Sequence, residues 1–379
     1  MKVLHVVDMI DPSAGGGTAE RTYQLAAALT RAGVGCSVLC TDVGLTDVRR
    51  EQLSGVELIA VPSMTRRFLI PRISSADIEK LVREADVVHV MGHWSILGAR
   101  VCLAALKNKT PYVYCPAGSL RIFGRSALLK RIYNFLIGHR IVRSASRCVS
   151  VTALEKEQFY EYGVSDDNIM LLPNGVHPNP DIIPSALDFK TSHKLENKQI
   201  LLFLGRLSPI KGPDLLLSAF ASIAGDYPQS VLVIAGPEDE MGASLKREVE
   251  QLGLTGRVFF IGFIAGQDKQ NALAAADIMV VPSRQEAMSL VALEAGVCGT
   301  PVLLTDQCGF DEVAKAQGGL VVEVSDKAIA EGLRQMLSSG DELLLQGQRL
   351  QKLVLERYTW DGISLQVCEV YDELIAAHD

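Results

Sequence analysis

QILLFLGRLSPIKGPD, residues 199–214, joins an apolar run to a loop bounded by Gly205 and Gly212. The run QILLFL has the continuous apolar character of a strand buried on both faces, as in a parallel sheet. Arg206 lies just past its end and Lys211 five residues later. Open α/β sheets hold their ligands at the carboxyl ends of strands. Two cations there read as a clamp for an anion, because Arg offers a planar fork to phosphate oxygens and Lys a mobile point charge. Gly212 and Pro213 then open a helix, whose free N–H groups favour the same anion. The competing reading is an ordinary solvated loop with a Lys-Gly turn.

The same rhythm runs outward in both directions. Towards the N-terminus, strand runs occur at 2–8, 36–40, 56–62, 87–91, 112–115, 147–151 and 169–173, separated by helical stretches such as TAERTYQLAAALTRAG at 18–33. Towards the C-terminus they recur at 231–236, 258–263, 278–283, 301–306 and 320–324. Apolar strands alternating with helices specify a doubly wound parallel sheet. The rhythm breaks over PNGVHPNPDIIPSALDFKTSHKLENK, 173–198, which has turn residues and no periodicity. The expectation is two Rossmann-like α/β domains, 1–178 and 199–357, joined by a linker at 179–198. They would face each other across a cleft, with a helix at 358–379 crossing back to the first.

Composition narrows the class. The 379 residues carry a net charge of −7, are 48% hydrophobic and have eight scattered cysteines without a CxxC pair. These values suit a globular protein of two domains with free thiols in a reducing compartment. They argue against a surface that binds nucleic acid as a whole. Asp8 interrupts the N-terminal apolar run, so no signal-peptide core is read there. No uncharged run reaches the length of about 18 residues that a spanning helix needs. A cytoplasmic protein is expected.

Other candidate residues follow strands. In SRQEAMSLVALEAGVCGTP, 283–301, Glu286 occupies a loop, Ser289 and Leu290 the first turn of a helix, and Glu294 a position about two turns down. Carboxylates so placed accept hydrogen bonds from hydroxyls, although two glutamates on a helix are commonplace. DPSAGGGTAERT, 11–22, reads as a glycine-rich loop that lets backbone approach a phosphate. Asp42 ends the second strand, where a dinucleotide site wants an acid for the ribose, so a nicotinamide-dependent dehydrogenase is a competing reading. His89 reads as a core residue, while His93 and Trp94 lie past the strand end as polar contacts on the acceptor side. The acidic pairs Asp166–Asp167 and Glu238–Glu240 do not share a strand end with other ligands, so no metal is assigned.

Taken in order, GGGTAERT, DVVHVMGHW, LPNGV, GRLSPIKG, VLVIAG, the Glu286–Glu294 spacing and YTWDGI resemble the retaining glycosyltransferases of family 4, of GT-B architecture. The resemblance covers nearly the whole chain. It implies that Arg206 and Lys211 bind the diphosphate of a nucleotide-sugar donor, with Glu286 completing the catalytic set. Glu294 would hold the ribose. Glu286 with Met288, Ser289 and Leu290 would hold the donor sugar, Phe263 and Ile264 would line the base, and Gly16 and Gly17 would approach the donor from the first domain. No metal and no cofactor are implied. Ala117 and Met91 stand where many relatives carry histidines. A non-catalytic nucleotide-sugar-binding relative is the second alternative.

The acceptor side has its own signal. Residues 121–147 hold Arg121, Arg125, Lys130, Arg131, Arg140, Arg143 and Arg147 without one acid, interleaved with Ile122, Phe123, Leu128, Leu129, Ile132, Phe135 and Leu136. Such a segment is either a packed helix with a solvated basic face or a patch that rests on an anionic membrane leaflet. The second reading, with the resemblance, implies a peripheral enzyme acting on a glycan or lipid-linked saccharide in cell-surface polysaccharide synthesis.

Overall fold

The computed structural model describes residues 1–65, 68–122, 126–178, 182–237 and 241–378. Phe123 and Arg125 of the basic segment, Glu238 and Glu240, and 179–181 of the expected linker lie outside the described residues. The chain divides into two compact units, Met1–His177 with Trp360–Asp379, and Pro178–Thr359.

The first unit is built on strands β1 (Lys2–Val6), β2 (Gly35–Thr41), β3 (Glu57–Val61), β4 (Val87–Met91), β5 (Tyr112–Cys115), β6 (Arg147–Ser150) and β7 (Ile169–Leu171). They form one parallel sheet in the order β3-β2-β1-β4-β5-β6-β7. The second unit carries β8 (Gln199–Leu204), β9 (Ser230–Ala235), β10 (Val258–Gly262), β11 (Ile278–Val281), β12 (Val302–Thr305) and β13 (Gly319–Val322). Their order, β10-β9-β8-β11-β12-β13, is also parallel throughout. Both units are Rossmann-like α/β layers, as the apolar runs require. Strands β4 and β9 are buried at every residue, and β1 and β8 are buried except at their ends.

The expected linker at 179–198 is corrected. Residues Ala186–Ser192 form a helix within the second unit, capped by Ser185, whose side chain accepts the Asp188 N–H. Phe189 is buried and stacks on His193, with ring centroids 4.4 Å apart. Two turns are too short to show a period in sequence, which is why the segment reads as structureless.

The helix Trp360–Ala376 packs in the first unit. Arg21, 1% exposed, fixes its approach. The guanidinium donates to the carbonyl oxygens of Leu172 (3.0 Å) and Pro173 (2.8 Å) and to Asn174 Oδ1 (2.7 Å), and lies 5.6 Å from the Trp360 ring centroid. Tyr371, on the same helix, places its hydroxyl 2.5 Å from His89 Nδ1. His89 stacks on His5 at 5.5 Å, and both His5 nitrogens are buried without a hydrogen-bond partner among the described residues. As expected, His89 is a core residue.

Burial lowers His5 to about 4, lowers His93 to about 4 and holds His89 well below the usual imidazole range. Between about pH 6.5 and 4 the unfolded chain therefore binds more protons than the native one, so stability rises with pH there and is complete above 6.5. Burial of Asp8, pushed up to about 6, and of Glu155, also raised, opposes part of this loss. A shift of this size is worth up to about 3 kcal/mol per histidine. The melting temperature should fall as pH drops from 6.5 towards 4.5, and His5→Leu should flatten that fall without lowering stability at pH 7.5. Thermal melts across pH would show an unchanged slope if His5 were not buried neutral.

Candidate functional site

A parallel sheet changes direction where successive strands are added on opposite sides, and that switch point opens a crevice at the strand ends. In the second unit it lies between β8 and β11. The loops leaving these strands carry Arg206 and Lys211 on one side and Ser283, Arg284 and Glu286 on the other.

The loops are joined tightly. Arg284 N donates to the Ile210 carbonyl at 2.7 Å, and its guanidinium donates to Pro209 O (2.6 Å) and to both oxygens of Asp214 (2.9 and 2.6 Å). Burial alone would raise the Asp214 carboxyl, but the Arg284 hydrogen bonds and charge outweigh it and hold it below the usual range. Gly212 has φ +69°, and a Cβ there would collide with the Pro282 carbonyl, so glycine is demanded by backbone and by space. The helix Pro213–Ile223 starts from this point.

Within this frame Lys211 Nζ forms an ion pair with Glu286 Oε1, and Ser283 Oγ donates to the same oxygen at 2.8 Å. The Glu286 backbone is anchored to the Gln307 carbonyl at 2.9 Å, in the loop after β12. The structure thus brings the clamp lysine and the loop glutamate into direct contact. Arg206 is exposed in the same loop and has no ion-pair partner among the described residues.

Glu294 is held apart from that pair. It lies on the helix Leu290–Val297 and pairs with Lys269 at 2.7 Å, from the helix Gly266–Ala275. Phe263, 74% exposed, and half-buried Ile264 lie between β10 and that second helix. Met288 and Ser289 are buried; Ser289 caps the helix, accepting the Ala292 N–H at 3.4 Å, and spends its own N–H on the Cys308 carbonyl. Their side chains therefore shape the loop, and the free N–H groups of the helix begin at Leu290. Lys269 and Arg284 had no sequence signal, because each acts through a partner distant along the chain, and Ser283, three residues before Glu286, carries no motif of its own.

In the first unit two expectations change. The glycine run is no open loop: the helix Pro12–Arg31 begins inside it, capped by Asp11, and kinks at Gly16, where φ is 60° and ψ −144°. Gly16 and exposed Gly17 sit at that kink, and Gly16 has open space where a side chain would stand. His93 is not a surface contact. It is 1% exposed, with Nδ1 2.8 Å from the Tyr114 hydroxyl and Nε2 2.7 Å from Asn134 Oδ1. An aromatic pocket of Tyr114, Tyr133 and Tyr162 encloses it edge-on, so it supports the loop and leaves no nitrogen for a ligand. Trp94 remains partly exposed, with Lys130 Nζ 5.1 Å from its ring centroid. Ala117 adopts φ +49° in a turn that buried Glu155 holds by accepting the Gly118 and Val151 N–H groups. Asp42 accepts the Ser63 N–H at 3.2 Å, closing a turn after β3.

Both halves match known families. Residues 185–351 match the family described as glycosyl transferases group 1, and residues 16–175 match the glycosyl transferase 4-like domain. Each half thus carries a glycosyltransferase domain match, and the fold is of the GT-B type. An uncharacterized glycosyltransferase of Methanocaldococcus jannaschii is 31% identical over 58% of this chain and 57% of that protein. The D-inositol 3-phosphate glycosyltransferase of Corynebacterium urealyticum is 34% identical over 46% of this chain and 43% of that protein. The chain thus spans about half the length of the relatives it matches. Anabaena HepE in complex with UDP and glucose has the same fold, with TM-score 0.79 at 19% identity over 98% of this chain and 100% of that one. The sucrose-phosphate synthase of Thermosynechococcus elongatus is similar, with TM-score 0.78 at 20% identity over 100% of both chains.

The Gly212 geometry is directly testable. Gly212→Ala should destabilise the protein by about 1–3 kcal/mol or more, from left-handed backbone strain and the collision with Pro282. Gly253→Ala, at φ +66° with nothing within 4 Å, carries the strain alone and should cost less. Equal melting temperatures for the two variants would contradict the close approach of the two loops.

Proposed function

We propose that the protein is a retaining glycosyltransferase that moves a hexose from a nucleoside-diphosphate donor to a saccharide hydroxyl. The observation that carries this reading is the Lys211–Glu286 ion pair at the switch point, with Lys211 in the same loop as exposed Arg206, which has no ion-pair partner among the described residues. Breaking the sugar–phosphate bond places its electron pair, and growing negative charge, on the diphosphate. Arg206 and Lys211 stabilise that charge as it develops. Without a donor, Glu286 neutralises Lys211. An arriving diphosphate takes the lysine and releases the Glu286 carboxylate to accept hydrogen bonds from the sugar hydroxyls. Glu294, next to Lys269, receives the ribose hydroxyls, and exposed Phe263 with Ile264 lies against the base. The protein's own cations fill the role a metal would serve, so no metal is required. UDP-hexoses are the first donors to test, since HepE is similar in fold and was crystallised with UDP and with UDP-glucose.

UDP should raise the melting temperature. Lys211→Ala should lower turnover of the donor roughly 10²–10³-fold, the usual loss of one transition-state charge stabiliser. Turnover within about threefold of the parent would remove the clamp from the mechanism. Binding of UDP with no turnover by the parent would favour a non-catalytic, nucleotide-sugar-binding partner.

The acceptor is proposed to be lipid-linked, at the cytoplasmic face of a membrane, as in cell-surface polysaccharide synthesis. The basic segment supports this. Its helix Ala127–Tyr133, the π-turn Asn134–Gly138 and the helix His139–Arg143 leave Leu128, Phe135 and Leu136 70% or more exposed. Exposed Arg131, Arg140 and Arg143 accompany them. No described helix is long and apolar enough to cross a membrane. Basic groups with shallow apolar insertion suit an anionic leaflet, each cation adding about 1 kcal/mol. The protein should sediment with anionic vesicles at low salt and not with neutral ones. Arg131→Gln with Arg140→Gln, or Phe135→Ser with Leu136→Ser, should release it. If the parent stays in the supernatant, the acceptor is a soluble saccharide.

A further inference from the structure

The two sheets reverse at equivalent places. In the second unit the reversal lies between β8 and β11, and the Lys211–Glu286 pair bridges their exits. In the first it lies between β1 and β4, and Ser95 Oγ donates to Asp8 Oδ1 across their exits at 2.6 Å. Neither residue is placed by chance. The Asp8 carbonyl accepts the Thr41 N–H at 2.9 Å and the Thr41 hydroxyl at 2.6 Å, which continues the sheet one residue past β1. Ser95 caps the helix Ile96–Asn108 by accepting the Gly98 N–H at 2.8 Å.

The second Asp8 oxygen, Oδ2, makes no hydrogen bond among the described residues and is not among the fully buried atoms that lack a partner. No lysine or arginine forms an ion pair with Asp8 there either. A carboxylate held in place, with one oxygen not fully buried and no cation partner among the described residues, keeps acceptor capacity for a ligand. Burial pushes the carboxyl up to about 6, so it is ionised at neutral pH and a strong acceptor. The neighbouring wall is aromatic: the Tyr133 hydroxyl donates to the Ser95 carbonyl at 3.2 Å, and the Tyr133 ring lies 5.6 Å from that of Trp94. An aromatic surface beside a hydroxyl acceptor suits a molecule with an apolar face and hydroxyl edges. Tyr133 ends the basic helix Ala127–Tyr133, so the patch proposed to rest on lipid leads directly to this wall.

We propose that Asp8, positioned by Ser95, is an acceptor-binding residue that takes a non-reacting hydroxyl of a saccharide acceptor. This rests on the glycosyl-transfer reading. Asp8 moves no proton in the reaction. It fixes the acceptor by one charge-assisted hydrogen bond, and discriminates against acceptors that lack a hydroxyl there.

UDP-glucose as donor and octyl glucoside as acceptor test the assignment, with transfer to the glucoside measured against donor hydrolysis. Asp8→Asn keeps an oxygen for Ser95 and replaces the open oxygen by an N–H donor. It should lower the transfer-to-hydrolysis ratio about 10–100-fold, the range for a hydrogen bond to a charged group. The loss should appear as a higher KM for octyl glucoside, while the UDP-induced rise in melting temperature is retained. Asp8→Glu keeps an ionised oxygen one methylene out of place and should also lower the ratio; it carries the test if the Asn variant does not fold. Ratios equal to the parent's, including no transfer by any of them, overturn the assignment while UDP binding and hydrolysis leave the glycosyl-transfer reading standing. A parent that neither responds to UDP nor turns over the donor removes both.

Discussion

Lys211 and Glu286 hold each other across the exits of β8 and β11, and the second unit's site depends on where that contact places them. The lysine is about 30% exposed and the glutamate 8%, so neither is a freely solvated charge. The pair survives because Ser283 shares the same carboxylate oxygen and Arg284 fixes both loop backbones. A ligand that enters must compete with an existing partner for each charge, which favours molecules carrying both an anion and hydroxyls. A bare anion satisfies the lysine and leaves a largely buried carboxylate without its cation. The arrangement therefore discriminates by requiring two kinds of group at once.

The glutamates were legible in sequence as a spacing, but their separation into two environments was not. Glu286 belongs to a loop stapled to the loop after β12 through Gln307, whereas Glu294 belongs to a helix whose neighbour supplies Lys269. Periodicity reports which residues share a face of one element. It says nothing about a cation 25 residues earlier on another helix. The strands were legible for the complementary reason: buried on both faces, they must be apolar at every position, and few other elements have that pattern.

The misreadings were local. GGGTAERT looked like an open loop because three glycines disfavour a helix, yet Asp11 caps a helix through them and Gly16 absorbs the bend. His93 looked available because it follows a strand. Three tyrosine rings and Asn134, from positions 114 to 162, close over it instead. Asp8 escaped notice because a single acid after a strand is unremarkable until Ser95, 87 residues away, is seen to hold it. The last two cases turn on a partner remote in sequence, which is the information a linear pattern lacks.

Arg21 and the helix Trp360–Ala376 impose an order on synthesis. The helix buries Trp360, Ile363, Val367 and Tyr371 in the first unit, but the ribosome makes it only after every residue of Pro178–Thr359. During translation the second unit can fold whole, while the first waits with an uncovered apolar face and the Arg21 guanidinium lacking its aromatic lid. The half of the molecule that begins first is completed last. Nascent chains stalled before Trp360 should thus present a finished second unit beside a first unit open to chaperones.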